Sequence, residues 1–355
     1  MEKVAPRDGY GKGLVAAGRK NENVVVLCCD LTESTRSQWF KEAFPDRFIE
    51  VGVAEQNMAG MAVGMALSGK IPFCSSYAVF NPGRNWDQIR VSVCYTNANV
   101  KIAGAHAGIS VGPDGATHQA LEDIAITRVL PNMTVVVPCD SIEAEKATVA
   151  LAVHDGPAYI RFGREKLPVI TTKKTPFELG RAEVFREGKG VTIVACGAMV
   201  YEALIAAQEV DGEVINCHTI KPLDVEAMVA SAKKTGRVVT AEEHQVNGGL
   251  GGAVAEALTD AGVAVPIKRV GMQDSFGESG DPEELLKKYK MKAENIVEAV
   301  RNFSVGRGIL DLVGKMPKIT IPKGKTVDDL IHEATGEIAV RRNVGKNIPG
   351  MKPGR

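Results

Sequence analysis

The stretch Glu50-Val-Gly-Val-Ala-Glu55-Gln-Asn-Met-Ala-Gly60-Met-Ala-Val-Gly64-Met-Ala-Leu-Ser-Gly69 constrains this chain more than any other. Beyond Glu55, the residues Met58, Met61, Ala62, Met65 and Ala66 recur at the spacing of one helix face. Gly69 and Pro72 then stop the helix. The remaining positions are mostly Ala and Gly, so the predicted helix has little polar surface and is expected to be buried. Yet it carries a carboxylate, Glu55, in its first turn. A buried acid needs a partner or a proton. On residue type alone, attraction of an N-terminal acid to the helix dipole is the favoured account of Glu55. What surrounds it has to decide.

Strand-like and helix-like segments alternate on either side of this helix. Helices are predicted near 8–20, 37–44, 85–95, 119–129 and 141–153. Strands are predicted at 23–28, 47–50, 71–74, 100–104, 134–137 and 158–161. That alternation implies an α/β fold with a mainly parallel, doubly wound sheet covered on both faces. Residues 166–187, rich in Lys, Thr and Pro, are expected to be a linker. A second Rossmann-like unit with strands at 191–196, 213–217, 237–242 and 266–270 runs from 188 to 303. A length of 355 residues accommodates these two domains, 1–165 and 188–303, with an extension at 304–355. The extension holds ten Lys/Arg against five Asp/Glu and little to bury, so it is expected to drape over a partner or to be mobile.

The charge balance, 43 basic against 43 acidic residues, gives no indication of nucleic acid or an anionic membrane as partner. No stretch is apolar for long enough to span a bilayer, and the N-terminus does not read as a signal peptide. The seven cysteines form no C-x-x-C pair and read mostly as small core residues of a reduced compartment. The expected location is the cytoplasm.

A second informative stretch follows the strand at 100–104: Gly104-Ala-His106-Ala-Gly108-Ile-Ser-Val-Gly112-Pro-Asp114-Gly115-Ala-Thr117-His118-Gln119. It falls at the carboxyl end of a parallel sheet, where α/β proteins place ligands. Two of the six histidines lie in it with Asp114 between them, and its glycines permit close backbone approach. Gly248-Gly-Leu-Gly-Gly252 is a weaker signal, because Val254 stands where a dinucleotide fingerprint needs its third glycine. We read it as close helix packing, and the adjacent Glu243-His244 as a satisfied surface pair.

Val51-Gly-Val-Ala-Glu55-Gln-Asn-Met, Gly112-Pro-Asp-Gly-Ala-Thr-His118-Gln and Leu130-Pro-Asn-Met-Thr-Val-Val-Val-Pro-Cys-Asp140 together resemble transketolase, from about Arg7 to about Phe303. The match is to that enzyme's pyrimidine-binding and C-terminal domains. The Gly-Asp-Gly…Asn segment with which transketolases hold the diphosphate and divalent metal (Mg or Ca) of thiamine diphosphate has no counterpart here, since no Gly-Asp-Gly occurs in the chain. The resemblance therefore implies one subunit of a split transketolase, with the other half on a partner subunit in a heterotetramer. The implied activity is transfer of a two-carbon ketol unit from a ketose phosphate to an aldose phosphate.

Carried across, the resemblance makes Glu55 the acid that hydrogen-bonds the aminopyrimidine ring nitrogen and favours its imino tautomer. It puts Tyr77 where an aromatic ring, more often Phe, packs on the pyrimidine, and Asp30 near the thiazolium. His106 and His118 match histidines that contact the ketose and move protons. Asp114 matches the carboxylate that recognises a sugar hydroxyl. Arg7, Ser34 and Arg164 match the phosphate-holding residues, with Arg161 as the alternative to Arg164. Nothing is carried across 78–86, which is longer than in many relatives. The related alternatives are a 1-deoxyxylulose-5-phosphate synthase, the beta subunit of a 2-oxo-acid dehydrogenase and a non-catalytic interaction subunit. The first is disfavoured by Gln119-Ala-Leu-Glu-Asp-Ile, the second by the pair His106 and His118.

Overall fold

The computed structural model describes residues 1–303, so the expected extension 304–355 lies outside the described residues. In chain order the first half contains β1 (Lys3–Val4), α1 (Pro6–Lys20), β2 (Val24–Cys28), α2 (Gln38–Ala43), β3 (Phe48–Glu50), α3 (Glu55–Leu67), β4 (Ile71–Tyr77) and α4 (Trp86–Gln88). It continues with β5 (Lys101–Ala105), α5 (Asp123–Arg128), β6 (Thr134–Val136), α6 (Ser141–Leu151), β7 (Ala158–Arg161) and β8 (Leu167–Pro168). The second half contains β9 (Glu183–Arg186), β10 (Val191–Ala195), α7 (Met199–Val210), β11 (Gly212–Asn216), β12 (Thr219–Lys221), α8 (Val225–Thr235), β13 (Val238–Gln245), α9 (Leu250–Asp260), β14 (Ile267–Met272), α10 (Pro282–Lys288) and α11 (Ala293–Arg301).

Runs such as Val-Val-Val-Leu-Cys in β2 are buried along their whole length, as strands covered on both faces must be. β6, β7, β5, β4, β2 and β3 lie side by side and run parallel. Their carboxyl ends therefore emerge on one side, and Asp30, Tyr77, His106 and Arg164 stand at or just beyond the ends of β2, β4, β5 and β7. The second sheet has the order β14-β13-β10-β11-β9.

Three expectations need correction. The stretch 166–187 is not a plain linker: β8 pairs antiparallel with β1, and β9 forms the antiparallel edge of the second sheet. β12 leaves the second unit to pair antiparallel with β6 and so completes a seven-stranded first sheet. Helix α3 is fully buried at Glu55, Met58, Ala59 and Ala62 only. Among the described residues its other side is open, with Leu67 72% exposed and nothing within 4 Å of where a Cβ at Gly60 or Gly64 would stand.

One apolar core joins the two halves, since Val25, Met58 and Ile102 of the first cluster with Val194, Ile215 and Leu250 of the second. A buried polar knot lies beside it. Asp123 Oδ2 accepts from Tyr159 OH at 2.7 Å and from Arg161 Nε at 2.8 Å, while Arg161 Nη2 donates to the Glu243 carbonyl at 2.7 Å. Burial opposes the charge of Arg161, but Asp123 beside it more than compensates and holds the guanidinium above its ordinary pKa. Asp123→Ala leaves that buried cation unpaired and should cost about 3–5 kcal/mol in urea unfolding of the full chain. Asp123→Asn, which retains an acceptor, should cost less. An Ala variant within about 1 kcal/mol of wild type would show that the knot does not matter to stability.

Candidate active site

Glu55 starts α3 after the turn that follows β3 and is only 1% exposed. Its two oxygens have different partners. Ser76 Oγ, near the end of β4, donates to Oε1 at 3.1 Å, and Arg84 Nη1 donates to Oε2 at 2.6 Å. Arg84 comes from the loop after β4, and this loop is held from inside. Asn81 Nδ2 donates to the Cys74 and Ala103 carbonyls at 2.9 and 3.3 Å, and Asn85 Nδ2 donates to the Glu55 carbonyl at 3.1 Å. The Arg84 guanidinium also lies over the Phe80 ring, 4.5 Å from its centroid. At the end of β3, Glu50 receives the backbone N–H groups of Asp30 and Gly52 at 2.7 and 3.0 Å and the Thr32 hydroxyl at 2.8 Å, so it fixes the end of β2.

From Phe80 a row of rings leads away from Glu55. The His118 ring meets Phe80 edge-on at 5.4 Å and Tyr77 at 6.2 Å, and Tyr77 stacks on His106 at 4.0 Å. His106 is 2% exposed and adopts φ of +55°, a conformation uncommon for a residue with a Cβ. Burial lowers its pKa to about 3, with further contributions from Arg7, Arg164, Arg36 and His118. The imidazole is therefore neutral at ordinary pH. Its Nδ1 is buried with no hydrogen-bond partner among the described residues.

The far end of the row is cationic. Arg7, half-buried, donates through Nη1 to the Ser34 carbonyl at 3.1 Å, while its Nε is buried without a partner among the described residues. Burial and then Arg36 lower its pKa, against the pull of Asp8. Arg36 itself pairs with Asp8 at 2.6 Å. Arg164 Nη1 donates to the Val111 carbonyl at 3.0 Å and lies 3.9 Å from Asp114. Guanidinium groups in this arrangement suit a phosphate or a similar tetrahedral anion. The array thus offers a buried acid at one end, aromatic and imidazole rings in the middle, and an anion-binding rim at the other.

Comparison with known proteins shows the family to which this fold belongs. The transketolase pyrimidine-binding domain family matches residues 2–169, and the transketolase C-terminal domain family matches residues 180–296. A Methanocaldococcus jannaschii protein named as a transketolase C-terminal section is 44% identical over 301 residues, which cover 83% of this chain and 94% of that protein. The chain belongs to the transketolase family. The 6-deoxy-6-sulfo-D-fructose transketolase subunit of a Clostridium species is 45% identical, over 82% of this chain and 92% of that subunit. Human transketolase is 38% identical, over 84% of this chain but only 49% of its own length. A solved split-gene transketolase, described as an inactive beta4 tetramer, superposes with a TM-score of 0.79 at 47% identity, covering 84% of this chain and 98% of that one.

Within this transketolase fold, Glu55, Tyr77, His106, His118, Asp114, Arg7, Ser34 and Arg164 gather along one edge of the first sheet. Asp30 stands exposed at the end of β2 with φ of +55°. Arg161 does not join them. It ends β7, points into the body of the fold and is committed to Asp123, whereas Arg164 lies beyond the strand in the open loop. The pair Glu243-His244 is also misread as surface, since both residues are buried. Sequence reasoning missed Arg84, Phe80, Arg36 and Glu50. For Arg84 a signal existed, because a buried carboxylate calls for a cation and this loop carries one. The pairing can be measured as a double-mutant cycle on the full chain with Arg84→Met and Glu55→Gln. The coupling energy expected is about 1–3 kcal/mol, and additive effects would mean the two groups do not interact.

Proposed function

We propose that this chain is the C-terminal subunit of a two-subunit, thiamine-diphosphate-dependent transketolase, which passes a two-carbon ketol unit from a ketose phosphate to an aldose phosphate. The observation that supports this reading most is the array itself: a buried carboxylate, stacked rings and an arginine rim share one sheet edge. The residues fit the cofactor. Glu55 is a buried acceptor in a hydrogen-bonding pocket, and Tyr77 and Phe80 offer aromatic faces for a pyrimidine. When bound, thiamine diphosphate supplies the ring that stabilises a carbanion, chemistry no side chain provides. Glu55 would hold the aminopyrimidine, and Asp30 would lie towards the thiazolium.

The chain's own residues account for the rest. His106, kept neutral by burial, can accept or donate a proton at its unpartnered nitrogen, and His118 can do the same from the more open side. Asp114 accepts a hydrogen bond from a sugar hydroxyl. Arg7 and Arg164, with Ser34, hold the terminal phosphate, and binding energy gained there orients the reacting end of the sugar. The diphosphate and its divalent metal (Mg or Ca) would be held by a partner subunit carrying a Gly-Asp-Gly…Asn segment, in a heterotetramer. The open, small-residue side of α3 is suited to such an assembly, because among the described residues nothing covers Leu67, Gly60 and Gly64.

A second reading concerns the substrate only. A sulfonate would satisfy the arginine rim as a phosphate does, and one relative is named for a sulfonated sugar. Supplying phosphorylated and sulfonated ketoses in parallel to the reconstituted complex distinguishes the two.

Two outcomes follow from the main reading. Glu55→Ala should remove ketol transfer by the reconstituted complex, on the order of a 10³-fold loss or more, while assembly persists on size exclusion. Full activity in that variant would end the proposed role of Glu55. Gly64→Leu has room among the described residues, so its melting temperature should hold or rise, yet it should weaken assembly at least tenfold. Unchanged affinity would place the interface elsewhere.

A further inference from the structure

The loop that carries His106 and Asp114 is not held by its own domain alone. Ser110 N–H, at its centre, donates to Oε1 of Glu243 at 2.6 Å, and Glu243 belongs to β13 of the second sheet. Gly108, two residues from His106, has φ of +94°, and a Cβ there would overlap the Glu243 carboxyl. Glu243 is 4% exposed and is itself immobilised, since its carbonyl receives Arg161 Nη2 at 2.7 Å. Arg161 is in turn fixed by Asp123. A second tie lies nearby: Gln119 Nε2 donates to the Ile109 carbonyl at 3.0 Å and to the Glu278 carbonyl at 2.9 Å, linking the loop to the segment before α10.

We infer that Glu243 is a positioning residue for the substrate loop, through which the second domain sets the place of His106 against Tyr77 and of Asp114 at the anion rim. Packing alone does not require an acid here. Burial raises the Glu243 carboxyl above its usual pKa, against Arg161 and the Ser110 N–H, so the fold bears a cost for placing it under the loop. What that acid provides is an acceptor aimed at one N–H in a segment rich in glycine, where few side chains could otherwise lock the backbone. The route from the acid to the ring is short: Glu243 seats Ser110 and leaves space only for Gly108. The Gly108 N–H then bonds the Ala120 carbonyl at 2.9 Å, and the Ala107 N–H bonds the Phe162 carbonyl at 3.2 Å. His106 adjoins these anchors in its left-handed conformation.

The test has two readouts, and only the second rests on the function proposed above. In the full chain labelled with 13C-histidine, the His106 ring protons should be shifted upfield by the Tyr77 ring stacked at 4.0 Å. Glu243→Ala and Glu243→Asp, whose carboxylate is drawn back by one methylene, should lose most of that shift. Glu243→Gln, which keeps an acceptor in reach of Ser110, should retain it. In the reconstituted complex, Ala and Asp should lower kcat/KM for the sugar substrates by about 10–100-fold. Gln should restore it to within a few-fold, and thiamine diphosphate affinity should be unchanged in all three because Glu55 is not disturbed. The Asp variant keeps the test decisive if the Ala variant does not fold. Wild-type histidine shifts in the Asp variant, or a Gln variant as impaired as Asp, would overturn the inference. A wild-type complex without ketol transfer would instead overturn the functional reading, and the histidine resonances would still decide this one.

Discussion

The architecture of the site depends on the removal of one carboxylate from water. Glu55 is 1% exposed, and a charge so placed must be compensated locally. Ser76 and Arg84 provide that compensation, and both are consequences of β4. The strand delivers Ser76 directly, and the loop that follows it is folded back by Asn81 and Asn85 until Arg84 reaches the acid. The same loop presents Phe80 to His118, and the end of the same strand presents Tyr77 to His106. A single strand thus connects the acid, the rings and the histidines. Arg164 of the arginine rim belongs to the same edge because β7 runs parallel to β4 and β5.

Much of the fold was legible because a parallel sheet covered on both faces is written as apolar runs, and Val24–Cys28 or Val191–Ala195 cannot easily be read otherwise. The elements that escaped notice lack that signature. β9 is Glu-Val-Phe-Arg, half polar because it is an edge strand, and β12 is three residues long and takes its partner from the other domain. The distinction between Arg161 and Arg164 was hidden for a related reason. Only two residues separate them, but the strand ends between them, so one side chain is committed to the interior while the other projects over the site. Where a strand ends is the least legible property of a sequence. Arg84 escaped because it reaches Glu55 across 29 residues of sequence, and Glu50 because it reaches Asp30 across 20 and Thr32 across 18, which no local pattern records.

The expectation for α3 failed in a more instructive way. Apolar periodicity correctly indicates which surfaces avoid water, but it does not say whether the same chain provides the cover. Met58 and Ala62 are covered by the sheet, whereas Gly60, Gly64 and Leu67 have no cover within the described residues. A helix of alanine and glycine on an open face gains nothing in an isolated chain, because glycine within a helix is destabilising by about 1 kcal/mol relative to alanine. Such a composition is understandable where another backbone must approach closely.

The division of labour between the domains follows from the same reasoning. The first domain supplies every residue of the candidate site, yet loops at the carboxyl ends of parallel strands are poorly supported by the sheet itself, since they lie beyond its hydrogen bonds. The loop after β5 is glycine-rich, so its conformation has to be imposed from outside. The second domain is in position to do so, because β12 and the Arg161 knot join it to the first sheet. Glu243, Glu278 and Arg164 each engage a backbone or amide group of that loop, from three different elements. A segment that must hold a neutral histidine against an aromatic ring and a carboxylate beside an arginine is thereby fixed at several points. Its freedom, which glycine makes large, is removed before any substrate arrives.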